Sequence, residues 1–155
     1  MTTPAQADSP DARLAGEAIA VELAARDLYE AAIAAGASGD VWAALRDQHQ
    51  SFGQRLAGLI GVSANTVDAD LVDELTSQFA VADPAEAAAE LENRLAAEHA
   101  ERLAEVSNAQ VVTALASIVA SESRHAVVAA QQAGITDPDQ LYVNPNSPTT
   151  AEANA

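Results

Sequence analysis

Three histidines and three glutamates carry most of the chemistry this chain can offer. His49, His99 and His125 are all of its histidines. Placing residues at about 100° per position on helices puts each of them inside an otherwise apolar arc, together with Glu22, Glu92 and Glu122. Glu22 lies among Ala18, Val21, Ala25, Leu28, Tyr29 and Ala32, and His49 among Val41, Trp42, Leu45, Phe52, Leu56 and Leu59. Glu92 and His99 share an arc with Ala88, Leu91, Leu95, Leu103 and Val106; Glu122 and His125 share one with Val112, Leu115, Val119, Ala126 and Ala129. A buried carboxylate without a partner is costly, so such groups are normally paired or bound to a metal. The i, i+3 spacing of Glu122 and His125 sets a carboxylate and an imidazole on one face, which is how a helix builds one wall of a metal site. Glu22, His49 and Glu92 fall near the middle of their segments and Glu122 and His125 slightly past it. All can therefore meet in one layer, and divalent-metal ligation is the expected chemistry.

Each residue also has a plainer reading. A lone inward histidine is more often a hydrogen-bonded core residue than a ligand. A glutamate at the edge of an apolar face usually reaches solvent. Tyr29 and Trp42 read most simply as core aromatics whose polar tips find partners. Convergence of several groups is what lifts the metal reading above these.

The elements that must position them are helices. Ser9-Pro10-Asp11 is a helix start, with a capping hydroxyl, proline at the first position and an acid in the first turn. The first segment spans about 10–35 and stops at Gly36 and Gly39, and Asp40 is expected to cap the second, about 40–60, which stops at Gly61. Asp83-Pro84-Ala85-Glu86 opens a third, about 84–106, with Glu86 three residues after an expected Asp83 cap in the manner of a capping box, and Ser107-Asn108 turn into a fourth, about 108–133, ending at Gly134. In the long link, Leu71, Val72, Leu75 and Phe79 suggest a short helix across the others. The links run short, long, short, and two antiparallel hairpins joined by a long crossover are expected. Residues 1–9 read as a flexible start and 135–155 as a tail, docked at Leu141, Tyr142 and Val143 and disordered beyond.

Composition narrows the function classes. The 155 residues suit one domain, 10–134, with an alanine-rich core that favours closely spaced helices. Seven arginines, no lysine and 23 acids give a net charge of −16, which disfavours nucleic acid and anionic membrane surfaces. No cysteine is present, so thiolate sites and disulfide-linked partners are excluded. No uninterrupted apolar run suggests a membrane span and no signal peptide is visible, so a cytoplasmic location is expected. A homodimer is left open.

The segments VELAARDLYEAAI, RDQHQSFGQRLAGLIG, LENRLAAEHAERL and ASESRHAVV, within residues 11 to 134, resemble the ferritin-like superfamily, in particular small bacterial ferritin-like domain proteins. The resemblance implies an all-α four-helix bundle and a two-metal carboxylate site. That site takes one Glu from each of the first and third helices and a Glu-x-x-His pair from each of the others. By position, Glu22 and Glu92 match the single glutamates, and Glu122 with His125 matches the fourth-helix pair. The second helix departs, with His49 where the Glu belongs and Phe52 where the His belongs. A phenyl ring cannot ligate, and an imidazole cannot bridge two ions as a carboxylate does. The resemblance thus implies an impaired, mononuclear site of Glu92, Glu122 and His125 with help from His49 or Glu22, holding iron or manganese, with His99 and Tyr29 outside the ligand set.

Three functions compete on this reading. The first is a metal-binding bundle, with a metal-dependent oxidoreductase left open. The second is a metal-free structural or interaction module whose polar cluster is an internal network. The third is a competent di-metal oxidase or peroxidase, against which Phe52 stands. No nucleophile–base set, phosphate-cradling glycine loop or basic aromatic patch is evident.

Overall fold

The computed structural model describes residues 9–145, and these are all-helical, with no strand among them. Six helices pack together: α1 (Pro10–Ala35), α2 (Asp40–Ile60), α3 (Ala69–Phe79), α4 (Ala85–Glu105), α5 (Ala109–Gln132) and α6 (Pro138–Tyr142). The expected flexible start and disordered end fall largely on residues 1–8 and 146–155, outside the described range.

The chain marks most of the helix ends locally. Ser9 Oγ accepts the Ala12 amide at 3.1 Å and Pro10 opens α1 without wasting a donor. Gly36 and Gly61 close α1 and α2 with φ of 110° and 73°, a left-handed conformation that costs glycine nothing. Two expected caps differ. Gly39, not Asp40, is the cap residue of α2, and Asp40 lies in the first turn, where its charge faces the positive end of the helix dipole. Before α4 the cap residue is Pro84, which makes no side-chain capping bond; Asp83, one place earlier, accepts the Ala85 amide at 3.4 Å. A capping box needs a donor on the cap residue, and proline has none.

Cross-helix contacts fix the directions. Along α1 and α4, Asp11 meets Ser107 and Asn108, Glu22 meets His99, and Tyr29 meets Glu92, so the two run antiparallel. Along α1 and α2, Glu22 meets His49 and Glu30 meets Arg46, again antiparallel. The most extensive packing is of α1 on α2 and of α4 on α5, and α3 lies mainly against α1, burying Leu71, Leu75 and Phe79. Asp11 is more than a first-turn acid: its carboxylate accepts the Ser107 and Asn108 amides and the Ser107 hydroxyl, clasping the start of α1 to the α4–α5 turn.

Two apolar clusters sit at opposite ends of the long helices. One gathers Leu28, Tyr29, Trp42, Leu45, Phe79, Leu91 and Leu95, and the other Leu14, Ile19, Leu56, Ile60, Val111, Leu115 and Ile118. The inner face of α5 differs by one position from expectation. Val111 and Ile118 are buried while Val112 and Val119 are half-buried, because α5 packs against both α4 and α2. Gly53 lets α2 approach α1 closely: a Cβ there would stand 3.2 Å from Leu23 Cδ2. By length and composition α5 is apolar enough to cross a membrane, a test that core helices also pass; in this fold it is partly buried among the others.

The segment after Gly134 is docked in part. α6 contacts α5, and the Asn144 amide donates to the Asn93 carbonyl at 2.9 Å. Tyr142 and Val143 remain exposed.

Candidate metal centre

Between the two apolar clusters, α1, α2, α4 and α5 each deliver at least one ionisable side chain to a common interior. Glu22, His49, Glu92, His99 and Glu122 have no exposure, and His125 retains 6%. The five residues expected as ligands are therefore all buried together, and His99 is among them instead of outside.

Their contacts divide them into two groups of three. The ligand atoms of His49, Glu92 and His125 lie within 4.8 Å of one another, and so do those of Glu22, His99 and Glu122. This corrects the expected grouping of Glu92 with Glu122 and His125. The rise along α5 explains it: Glu122 and His125 share a face but sit about one turn apart, so each meets a different level of α4. Glu122 Oε1 is 3.4 Å from His99 Nε2, and His125 Nδ1 is 3.2 Å from Glu92 Oε2.

His49 links the groups. Its Nδ1 is 2.7 Å from Glu22 Oε2 and its Nε2 is 2.9 Å from Glu92 Oε1. Both nitrogens face carboxylates, so as drawn the ring is an imidazolium donating twice. Burial would lower its pKa, but the charge of Glu92 and the hydrogen bonds to Glu22 and Glu92 hold it well above the usual histidine range.

The three glutamates are equally buried and unequally served. Glu92 accepts from Tyr29 Oη at 2.6 Å, from His49 and from His125. Burial alone would raise its pKa, yet the His49 charge and these hydrogen bonds bring it down to about 2. Glu22 accepts from His49 and, at 2.9 Å, from His99 Nε2. Against burial, these bonds and charges hold it below the ordinary carboxylate range. Glu122 accepts from nobody: both of its oxygens are buried without a hydrogen-bond partner. The 3.4 Å approach of His99 Nε2 is an ionic contact only, since that N–H points at Glu22. Burial, with a smaller push from the charge of Glu22, raises Glu122 to about 8 even though the His99 charge opposes it. His99 itself, despite burial, is pushed up to about 10 by the charge and close approach of Glu122 and by its hydrogen bond to Glu22.

Aromatic rings surround the histidine-rich group. Tyr29 stacks on His49 with centroids 5.5 Å apart, and Phe52 stacks on His125 at 6.1 Å. Phe52 fills space beside the imidazoles and supplies no donor. Burial and the charge of Glu92 raise the Tyr29 phenol well above its usual range, so it serves as a fixed donor.

Sequence reasoning missed Gln48. Its Oε1 is 2.9 Å from His125 Nε2 and holds the ring with Nδ1 turned to Glu92. Gln48 precedes His49 and lies at the edge of the apolar arc, where an amide looks like ordinary surface. The only available signal was its place one turn before Phe52.

The donor set suits a divalent ion. It offers three carboxylates and three imidazoles, no thiolate, and one carboxylate whose buried oxygens have nothing else to bind. No family model, curated protein or solved structure matches the chain.

Proposed function

We propose that this chain is a ferritin-like four-helix bundle protein that binds a divalent metal ion, of the iron, manganese or zinc class, at a buried histidine–carboxylate site. The bundle reading is supported by the two antiparallel pairs, α1–α2 and α4–α5, joined by the long connection that contains α3. One observation carries the metal reading: three donors from three helices, His49, Glu92 and His125, have ligand atoms within 4.8 Å of one another in the buried interior. Two imidazoles and one carboxylate, with positions left for water or substrate, form a ligand set that suits Fe(II) and Zn(II). Gln48 and Tyr29 orient it from behind, through His125 and Glu92. In binding an ion, His49 gives up the proton that it now directs to Glu92 and keeps the one directed to Glu22. Metal uptake therefore releases protons.

The second reading, a metal-free module with an internal polar network, has a specific observation in its favour. Glu22, Glu92, His49 and His125 satisfy one another almost completely. Glu122 weighs against it, because a complete network leaves no buried acceptor empty, and each empty one costs roughly 1–3 kcal/mol. A coupled di-metal oxidase is not part of the proposal, since α2 offers no bridging carboxylate and Phe52 no nitrogen.

The experiment is metal analysis of protein purified without a polyhistidine tag and reconstituted separately with Fe(II), Mn(II) and Zn(II). The proposal expects near-stoichiometric uptake of at least one of them, lost in Glu92→Ala. Uptake below about a tenth of an ion per chain for all three would reject it. A melting temperature of the purified protein that a strong chelator leaves unmoved, together with no uptake, would establish the network instead.

A further inference from the structure

Five large apolar side chains stay exposed among the described residues, and three of them, Val128, Tyr142 and Val143, gather where α6 and the residues after it lie over α4 and α5. Asn144 pins that segment to the Asn93 carbonyl at 2.9 Å. Beside it opens a groove of about 480 Å³, walled by Val127 and Val128 of α5 and by Leu141 and Tyr142, with Arg124 among them. We propose that this groove binds a small arylalkyl monocarboxylate, its carboxylate on Arg124 and its ring between Tyr142 and the valines. The site is independent of the metal reading, since no residue lining the groove belongs to the buried cluster.

Arg124 is the pointer to an anion. The chain sets seven arginines against 23 acids, and five of the seven are ion-paired. Among the described residues Arg55 and Arg124 are the two that are not. Arg124 donates to the Ser121 hydroxyl at 3.1 Å, which leaves most of its N–H groups for a ligand. No acidic residue lines its groove. The hollow on the other side of the same segment is lined by Glu86, Glu90 and Asp139 and repels an anion. Arg55 lacks apolar walls, since Leu59 is the one large apolar side chain of its hollow.

The chemistry of the walls sets the ligand class. One guanidinium neutralises one charge, and its planar fork matches a carboxylate in bidentate fashion. A dianion would leave a charge uncompensated in the field of a chain of net charge −16. Two valines, a leucine and a phenol ring offer aliphatic and aromatic surface, and offset stacking on Tyr142 favours an arene. A volume of about 480 Å³ lies in the range of small-molecule sites and admits a ring with a short chain.

The sign of the preference is diagnostic. The overall negative field favours a cation over an anion at an ordinary point on this surface. Tighter binding of the anion therefore has to come from Arg124.

The test titrates the full, metal-free chain by calorimetry with phenylbutyrate, phenylbutanol and phenylbutylammonium, which share ring and chain and differ in charge. Phenylbutyrate is expected to bind once per chain with a dissociation constant of about a millimolar or tighter. The other two should bind at least about tenfold more weakly. Arg124→Gln, an exposed substitution that spares the core, should weaken phenylbutyrate by about tenfold and leave phenylbutanol unchanged. Tyr142→Ala should weaken both by about threefold. Amide shifts on adding phenylbutyrate should centre on Val128 and Tyr142. Absence of heat and of shifts up to about 10 mM phenylbutyrate would overturn the site. So would equal affinity for acid and alcohol, affinity unaltered in Arg124→Gln, or shifts centred on His49 and His125. A chain that sediments as a dimer, and as a monomer once Tyr142→Ala is made, would give the groove to a second copy instead.

Discussion

The two halves of the buried cluster are built on one register with different residues. α1 places Tyr29 seven positions after Glu22, and α4 places His99 seven positions after Glu92. Because the helices run antiparallel, each ring reaches across to the other's glutamate: Tyr29 Oη to Glu92 at 2.6 Å and His99 Nε2 to Glu22 at 2.9 Å. A phenol held neutral by burial can only donate there. An imidazole can donate or offer a lone pair. One exchange of ring type at matching positions therefore separates a glutamate locked by three donors from a glutamate free to change partners. The α5 side repeats the inequality. His125 is buttressed by Gln48 and Phe52, whereas Glu122 one turn earlier has no hydrogen bond at all.

The largest test of this contrast sets Glu22 against Glu122, the same residue type at the same burial. Glu22→Ala strips both His49 and His99 of a buried carboxylate, and the loss of unfolding free energy in urea should be about 3–5 kcal/mol. Glu122→Met in the metal-free protein should cost much less, since His99 loses one ionic contact but keeps its hydrogen bond to Glu22. A comparable loss in both variants would erase the distinction between the two glutamates.

A pH series sharpens the same pair. In the fold Glu122 is raised from 4.5 to about 8, so its contribution is complete below pH 4.5 and lost as pH rises through 8. His99, raised from 6.5 to about 10, loses its contribution between those values. Glu92, lowered from 4.5 to about 2, contributes above pH 4.5 and loses that as pH falls through 2. Metal-free stability should thus decline from mildly acid toward alkaline pH. Glu122→Met should flatten the part of the decline between 4.5 and 8, as read from denaturation midpoints. An unaltered profile would show that Glu122 titrates alike in the folded and unfolded states.

Smaller effects are expected from the residues standing behind the ligands. Gln48→Leu frees His125 to change tautomer and should weaken Zn(II) binding about tenfold, measured by competition with a chromophoric chelator. Tyr29→Phe removes one of three donors to Glu92 and should cost about 1–2 kcal/mol in urea denaturation. If Tyr29→Phe proved more damaging than Glu22→Ala, the order of importance drawn here for the two halves would be reversed.

Much of this arrangement is legible along the chain because helical periodicity reports facing. The arcs holding Glu22, His49, Glu92 and Glu122 follow from 3.6-residue spacing, and Ser9-Pro10, Gly36 and Gly61 carry the ends of α1 and α2 in their own conformational preferences. Periodicity does not report who meets whom across helices. His99 and Tyr29 looked alike as inward residues outside the ligand set until the antiparallel pairing sent one to each glutamate. The split of Glu122 from His125 depends on axial offset between α4 and α5, which single-helix spacing does not contain. Gln48 was hidden because an amide at a helix edge is ordinary on a surface, and its role exists only through His125. The cap before α4 was misread for a simpler reason: the proline that announces the start also removes the donor a capping box requires.

Gly53 lies one turn beyond His49 on α2, against Leu23, the neighbour of Glu22 on α1. The hydrogen atom it presents in place of a methyl group acts as a spacer of minimum thickness between the two rods. Alanine at this position would wedge Leu23 away by a few tenths of an ångström, and the neighbouring His49–Glu22 bond of 2.7 Å would absorb the strain. The hydrogen-bond geometry of the cluster is in this way bounded by an apolar seam beside it.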